Sequence, residues 1–182
     1  MAVDFSAFEA MTFDCYGTLI DWETGLLEAL HPIVANHGAD PGDEALLETF
    51  ARHESELEAG PYLTYREVLA GSLRGMGADL GFEPTEDEVT AFADSVGDWP
   101  AFPDSPAALA ALKQRFRLGV ITNCDDDLFA RSNARLQVEF DWIVTAQQAG
   151  LPVDQRAVAV ERHRVEGAEV DGHARSLFSG AR

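Results

Sequence analysis

Lysine is nearly absent from this chain of 182 residues: Lys113 is the only one, and the other twelve basic side chains are arginines. Against these thirteen stand 32 acidic residues, for a formal net charge of −19. Such a surface repels polyanions, which excludes nucleic acid and anionic membrane as expected partners. An acidic, lysine-poor surface fits a high-salt cytoplasm and equally a GC-rich genome, and the sequence leaves the two open. Cysteine is scarce as well. Cys15 and Cys124 cannot build a disulfide framework and point to a reducing cytoplasm. No apolar run approaches the roughly 18 residues of a membrane span. The start, Met1-Ala2-Val3-Asp4-Phe5, lacks the basic end and apolar stretch of a signal peptide. What remains is ordinary for a globular protein, 46% hydrophobic and 25% charged, and excludes a disordered or collagen-like chain. The length suits one compact domain, or a core of roughly 100 residues carrying an insertion.

The pattern of apolar residues divides the chain. Ala10-Met11-Thr12-Phe13 reads as a short strand ending at Asp14, before the turn-prone Tyr16-Gly17-Thr18. Helical spacing then predicts four helices: Trp22 to about His37, about Asp43 to Glu58, about Tyr65 to Leu80, and one starting after Thr85 with Val89, Phe92 and Val96 as its apolar side. Thr85 with Glu88 three residues on is a capping box. Past Pro100 the order changes. Asp104-Ser105-Pro106 starts a helix, Arg117 to Ile121 is a buried strand ending at Thr122-Asn123, Asp125 to Arg135 is helical, and Phe140 to Val144 is a strand. The three acidic residues Asp125, Asp126 and Asp127 suit the positive N-terminal end of that helix. One strand, four helices, then alternating helix and strand predict a parallel α/β core with a helical insertion after the first strand.

In an open α/β sheet, ligands bind at the carboxyl ends of the strands. Two such ends carry reactive groups: Asp14 with Cys15-Tyr16-Gly17-Thr18, and Thr122 with Asn123. A carboxylate beside a glycine turn can be aimed as a nucleophile, and a hydroxyl and an amide from the neighbouring strand end can hold an anion. Taken singly, Asp14 serves equally well to cap a turn, and Thr122-Asn123 to cap the next helix. Together, on either side of a helical insertion, they favour a site.

Phe13-Asp14-Cys15-Tyr16-Gly17-Thr18-Leu19 resembles the first motif of the haloacid dehalogenase (HAD) superfamily, and Val120-Ile121-Thr122-Asn123 resembles its second. The resemblance is nearest to the type II 2-haloacid dehalogenases and spans residues 4 to about 150. It implies a Rossmann-like parallel-sheet core, residues 1–21 and 98–150, with a helical cap at 22–97. Asp14 falls on the family's nucleophile, Thr18 on its motif threonine, and Thr122 and Asn123 on its second-motif pair. Cys15, Tyr16, Thr18, Thr122, Asn123 and a cap arginine are the substrate-binding set so implied. Arg52 is the best match for that arginine, with Arg66 and Arg74 as the others in the cap. Tyr62 and Tyr65 could line an apolar pocket. Phosphatases of the superfamily place a second Asp two residues after the nucleophile, as acid for the leaving group. That position is Tyr16 here, and losing such a proton donor costs about 10²–10⁴-fold. Halide leaves without a proton, and the resemblance implies a metal-free and cofactor-free reaction. It converts small (S)-2-haloacids to (R)-2-hydroxy acids through an aspartyl ester.

The chain also departs from the pattern. Residues 1–150 carry 8 basic and 27 acidic side chains, whereas residues 151–182 carry five of each. Gly150 is followed by Leu151-Pro152-Val153, where the family's third motif has a lysine, and the acidic fourth motif is not recognisable. The core is therefore expected to be incomplete at the C-terminus, with 151–182 a diverged, truncated or frameshifted tail. That tail is expected to pack poorly, to be cut by trypsin after Arg156, Arg162 or Arg164, and to leave the strand at Phe140 to Val144 with an unpaired edge. His163 and His173 are read as incidental. The alternatives are a catalytically impaired HAD remnant and a HAD-type phosphatase of a small ester. The expected partner is a small anionic haloacid, and a homodimer is left open.

Overall fold

The computed structural model of the chain describes residues 8–149; the expectations for residues 151–182 lie outside them. Strand β1 (Ala10–Phe13) is followed by helices α1 (Trp22–Asn36), α2 (Asp43–Glu58), α3 (Tyr65–Leu80) and α4 (Glu86–Asp94). A 3-10 turn at Ser95–Asp98 leads into α5 (Ser105–Lys113), β2 (Arg117–Thr122), α6 (Asp126–Leu136), β3 (Trp142–Thr145) and the short α7 (Ala146–Ala149). The strands form one parallel sheet in the order β1-β2-β3. This is the α/β fold expected, with the helices inserted after the first strand.

The local chemistry explains the helix ends. Thr64 and Thr85 begin α3 and α4 with complete capping boxes, their hydroxyls accepting from the amides of Glu67 and Glu88 while those carboxylates reach back. Asp21 caps α1 through its carboxylate on the Thr24 amide. Pro106 sits in the first turn of α5, where its missing N–H is unneeded. Helices α2 and α3 lie against each other, with α3 presenting Gly71 to Leu57 and Gly75 to His53. The apolar faces meet in one core that includes Leu26, Leu30, Phe50, Leu69, Leu73, Phe92 and Trp99. Gly25 on α1 is needed there, because an added Cβ would lie 2.2 Å from the Trp99 ring. That close approach seats Trp99 edge-on against Tyr16, 5.8 Å between ring centroids.

Two boundaries differ from expectation. Val96 belongs to the 3-10 turn and not to α4. The third strand begins at Trp142 because Asp141 is occupied otherwise: its carboxylate accepts from the Leu118 amide at 2.7 Å and from Lys113 at 2.6 Å. Among the described residues the outer strands of the sheet are β1 and β3.

Candidate active site

Parallel pairing decides what meets at the sheet's carboxyl end. Phe13 is in register with Val120, so Asp14 leaves the sheet at the level where β2 runs into Thr122 and Asn123. The two motif segments therefore share one end of the sheet.

The turn after β1 is built from its own backbone. The amides of Thr18, Leu19 and Ile20 all donate to the Cys15 carbonyl, at 3.2, 2.7 and 3.0 Å. Gly17 closes the turn at φ +86°, in the left-handed region that lacks a steric penalty only for glycine. Asp14 stands exposed on this turn, with the Thr18 hydroxyl donating to its Oδ2 at 3.3 Å. Cys15 is placed in the core with no exposed surface, and burial, with Cys124 and Asp14 nearby, pushes its thiol pKa up. Its contribution to the turn is the carbonyl. Tyr16 points inward too. Its hydroxyl donates to Cys124 Sγ at 3.2 Å, with Ser132 Oγ 3.0 Å away. Burial first, and the neighbouring thiols second, hold that phenol well above its ordinary pKa, which makes it a poor proton donor.

The loop after β2 is held by side chains from elsewhere. Thr122 is buried, and its hydroxyl accepts from the Cys124 amide at 3.3 Å. Asn123 donates through Nδ2 to Glu58 Oε1, 3.1 Å away at the end of α2. The acidic run serves more than the dipole of its own helix. Asp125, 2% exposed, makes no cap bond on α6; its carboxylate accepts from the amides of Tyr65 and Arg66 at 3.0 and 3.1 Å, at the start of α3. Asp126 accepts from the Thr145 hydroxyl and from Gln148 at 2.9 Å, which joins α6 to β3 and α7. Asp127 takes both terminal nitrogens of Arg66, at 2.8 and 2.7 Å, and this pairing holds its pKa below the usual carboxylate range.

Arg66, and not Arg52, is thus the arginine beside the second motif. Its Nε also donates to Asp94 at 2.8 Å, and its side chain lies 3.8 Å from Asp125. Arg52 pairs with Asp79 and Glu56. Asp79 lies near the far end of α3, roughly 20 Å along that helix from Tyr65 at 1.5 Å per residue. Arg74 is taken by Glu86 at 2.8 Å. Two glutamates one turn apart on α2 approach instead. Glu58 meets Asn123, and Glu54 accepts from the Tyr65 hydroxyl at 2.8 Å. Burial, reinforced by Glu58, lifts Glu54 to about 7 against the Tyr65 bond, which lowers it. Tyr65 is buried and stacks on Tyr16 at 6.2 Å, and Tyr62 is half-buried. Sequence reasoning missed Glu54, Glu58 and Asp125. For Asp125 there was a signal, since three successive carboxylates exceed what one helix end can use.

Among the described residues, no three His, Cys, Asp or Glu side chains gather into a group that could hold a metal ion, and no helix is long and apolar enough to cross a membrane. A family model of haloacid dehalogenase-like hydrolases matches residues 8–164. The chain belongs to that family. This haloacid dehalogenase-like hydrolase shares its fold with L-2-haloacid dehalogenase from Xanthobacter autotrophicus, with a TM-score of 0.73 at 20% identity, covering 90% of this chain and 67% of that one. A defluorinating L-2-haloacid dehalogenase, Rha0230, aligns with a TM-score of 0.73 at 19% identity, over 87% of this chain and 69% of that one. The HAD-hydrolase YfnB from Bacillus subtilis, solved with magnesium, aligns at 0.67 and 16% identity, over 84% and 72%. At these identities the likeness carries the fold and not the reaction. No curated protein matches the chain's sequence.

Proposed function

We propose that this hydrolase displaces halide from small 2-haloacids, with Asp14 as nucleophile and Thr18, Thr122 and Asn123 orienting the reactants. An Asp14 oxygen attacks C2 of the (S)-acid, the carbon–halogen bond breaks, and halide departs with the bonding pair. Water then adds to the carboxyl carbon of the Asp14 ester. The ester bond opens, the (R)-2-hydroxy acid leaves, Asp14 is regenerated as carboxylate, and one proton passes to solvent.

Tyr16 carries this reading. Two residues past Asp14, its hydroxyl is committed to Cys124 and Ser132 in the interior, and its raised pKa keeps the proton on it. A phosphate ester needs a proton on its leaving oxygen, whereas a halide needs none. The expectation of metal-free chemistry comes from the resemblance to the type II 2-haloacid dehalogenases. The division into a core at 1–21 and 98–150 and a cap at 22–97 belongs to this reading: α1 to α4 would cover the end of the sheet where Asp14 stands.

The deciding assay follows halide release from (S)-2-chloropropionate beside phosphate release from a small phosphate monoester, each without and with magnesium. Halide release independent of magnesium is the expected result, and magnesium-dependent phosphate release alone would replace the reading with a phosphatase. A catalytically impaired protein is the second reading. It is favoured by Arg52, Arg66 and Arg74 all being taken up by carboxylates, and absence of both products would support it.

A further inference from the structure

The positive charges of this acidic chain are not all spent on its own carboxylates. Arg52, Arg66, Arg74, Arg131 and Arg135 each pair with an acidic side chain. Arg115 and Arg117 pair with none among the described residues, although the net charge is −19. Each lays its guanidinium over an aromatic ring instead, Arg115 over Phe116 at 5.0 Å and Arg117 over Trp142 at 5.4 Å. Stacking uses the face of the group and leaves its N–H edge open, the edge that grips phosphate and carboxylate oxygens.

Both arginines line one open hollow of about 510 Å³, a size usual for small-molecule sites. Lys113 lines it from the end of α5, Glu9 from just before β1 and Asp141 from just before β3, with Phe8 and Phe116 as its apolar wall. Three positive groups thus meet two negative ones. Asp141 is engaged already, by Lys113 at 2.6 Å and by the Leu118 amide at 2.7 Å. The hollow lies at the amino end of the sheet, where Ala10 pairs with Arg117. Asp14 follows Phe13 at the other end of β1, roughly 13 Å from Ala10 at about 3.3 Å per residue. The hollow is therefore no part of the site built on Asp14.

We propose that this hollow is a second binding site, for a small organic phosphate: Arg115 and Arg117 take the phosphoryl oxygens, and Phe8 and Phe116 carry the organic part. Charge decides between anions. In a lining of three positive and two negative groups, a dianion feels twice the net attraction of a monoanion, and its tetrahedral oxygens can meet both guanidinium forks. The proposal does not depend on the reaction at Asp14.

The probe is phenylphosphonate, which carries a dianion and an aromatic ring and has no ester bond to hydrolyse. It is titrated into the full chain at low salt, above its second pKa, by calorimetry and in a two-dimensional amide NMR spectrum. Binding is expected to move the amides of residues 113–117 and 141 and to leave those of 14–18 in place. Arg115→Gln and Arg117→Gln should each weaken it about 10-fold. Benzoate, a monoanion of similar shape, should bind about fivefold more weakly than phenylphosphonate. Glu9→Gln reads the site without touching either arginine, and removing that exposed negative charge should tighten binding about threefold. No measurable binding to the wild type, unchanged affinity in both arginine variants, or shifts confined to the Asp14 turn would each overturn the proposal. So would equal affinity for benzoate, or weaker binding by Glu9→Gln.

Discussion

The two segments at the carboxyl end of the sheet carry similar polar groups and are held in opposite ways. The turn after β1 stands on four backbone hydrogen bonds within Cys15–Ile20 and leaves Asp14 exposed. The loop after β2 stands on Glu58, Tyr65, Arg66 and Thr145, side chains and amides from three other parts of the chain. One is a local device that six successive residues can make. The other exists only once α2, α3 and β3 are in place. Chemistry and stability are therefore expected to separate along this line: substitutions in the first turn should change reaction, and substitutions in the second loop should change the fold.

Asp14→Asn should show the largest effect. An amide cannot form the ester, so halide release should drop to background, at least ~10³-fold, since removing a nucleophile typically leaves only residual catalysis. The thermal midpoint should stay within a degree or rise, because active-site groups are often held at a cost in stability. Loss of folding with activity per folded molecule intact would mean that Asp14 is a structural cap. Asp125→Ala is the counterpart in the second loop. It strips one buried and one half-buried amide of their acceptor, and should cost about 3 kcal/mol in urea unfolding. A loss below 1 kcal/mol would show that α3 does not depend on this carboxylate.

Glu54 sharpens the comparison by pH. Its folded pKa, about 7, lies above the unfolded value of 4.5, so the native state binds the extra proton between those two values. Stability contributed by that proton is whole below pH 4.5 and is lost as pH rises through 7. Glu54→Gln should therefore match wild type near pH 4.5 and exceed it by about 1–2 kcal/mol at pH 8. A difference that does not vary with pH would remove the titration argument. Thr18→Val should have the smallest effect on stability, under about 0.5 kcal/mol, because its bond to Asp14 is long and exposed. If it instead destabilises the protein as much as Asp125→Ala, the first turn is not locally held.

What the sequence disclosed follows the same division. The strand at Ala10–Phe13, helices α2 and α3, and the capping boxes at Thr64 and Thr85 were legible because each is encoded by spacing within a few residues. The bond between Thr18 and Asp14 is local too, four positions apart on one turn. Nothing local marks Glu58 as the partner of Asn123, or distinguishes Arg66 from Arg52. Both arginines sit on amphipathic helices, and only the packing of α3 against the Asp125 loop makes one of them adjacent. The 3-10 turn at Ser95–Asp98 was read as helix because Val96 continues the apolar spacing of α4. Its backbone departs from that helix where Trp99 must enter the core beside Gly25.

The register of the sheet has a consequence for the order of events in time. Ala10 pairs with Arg117, about a hundred residues later, while Gly119 pairs with Trp142 only some twenty residues on. Closing the longer loop carries a larger entropic penalty, and contacts remote in sequence are slow to form. The helices between β1 and β2 make their contacts at short range and can condense first, which brings the ends of that span together. During synthesis Asp14 leaves the ribosome early and waits for β2, with its turn already able to close on Cys15. A nascent chain stopped before Arg117 should hold compact helices and no parallel sheet, and so a nucleophile without the rest of its site.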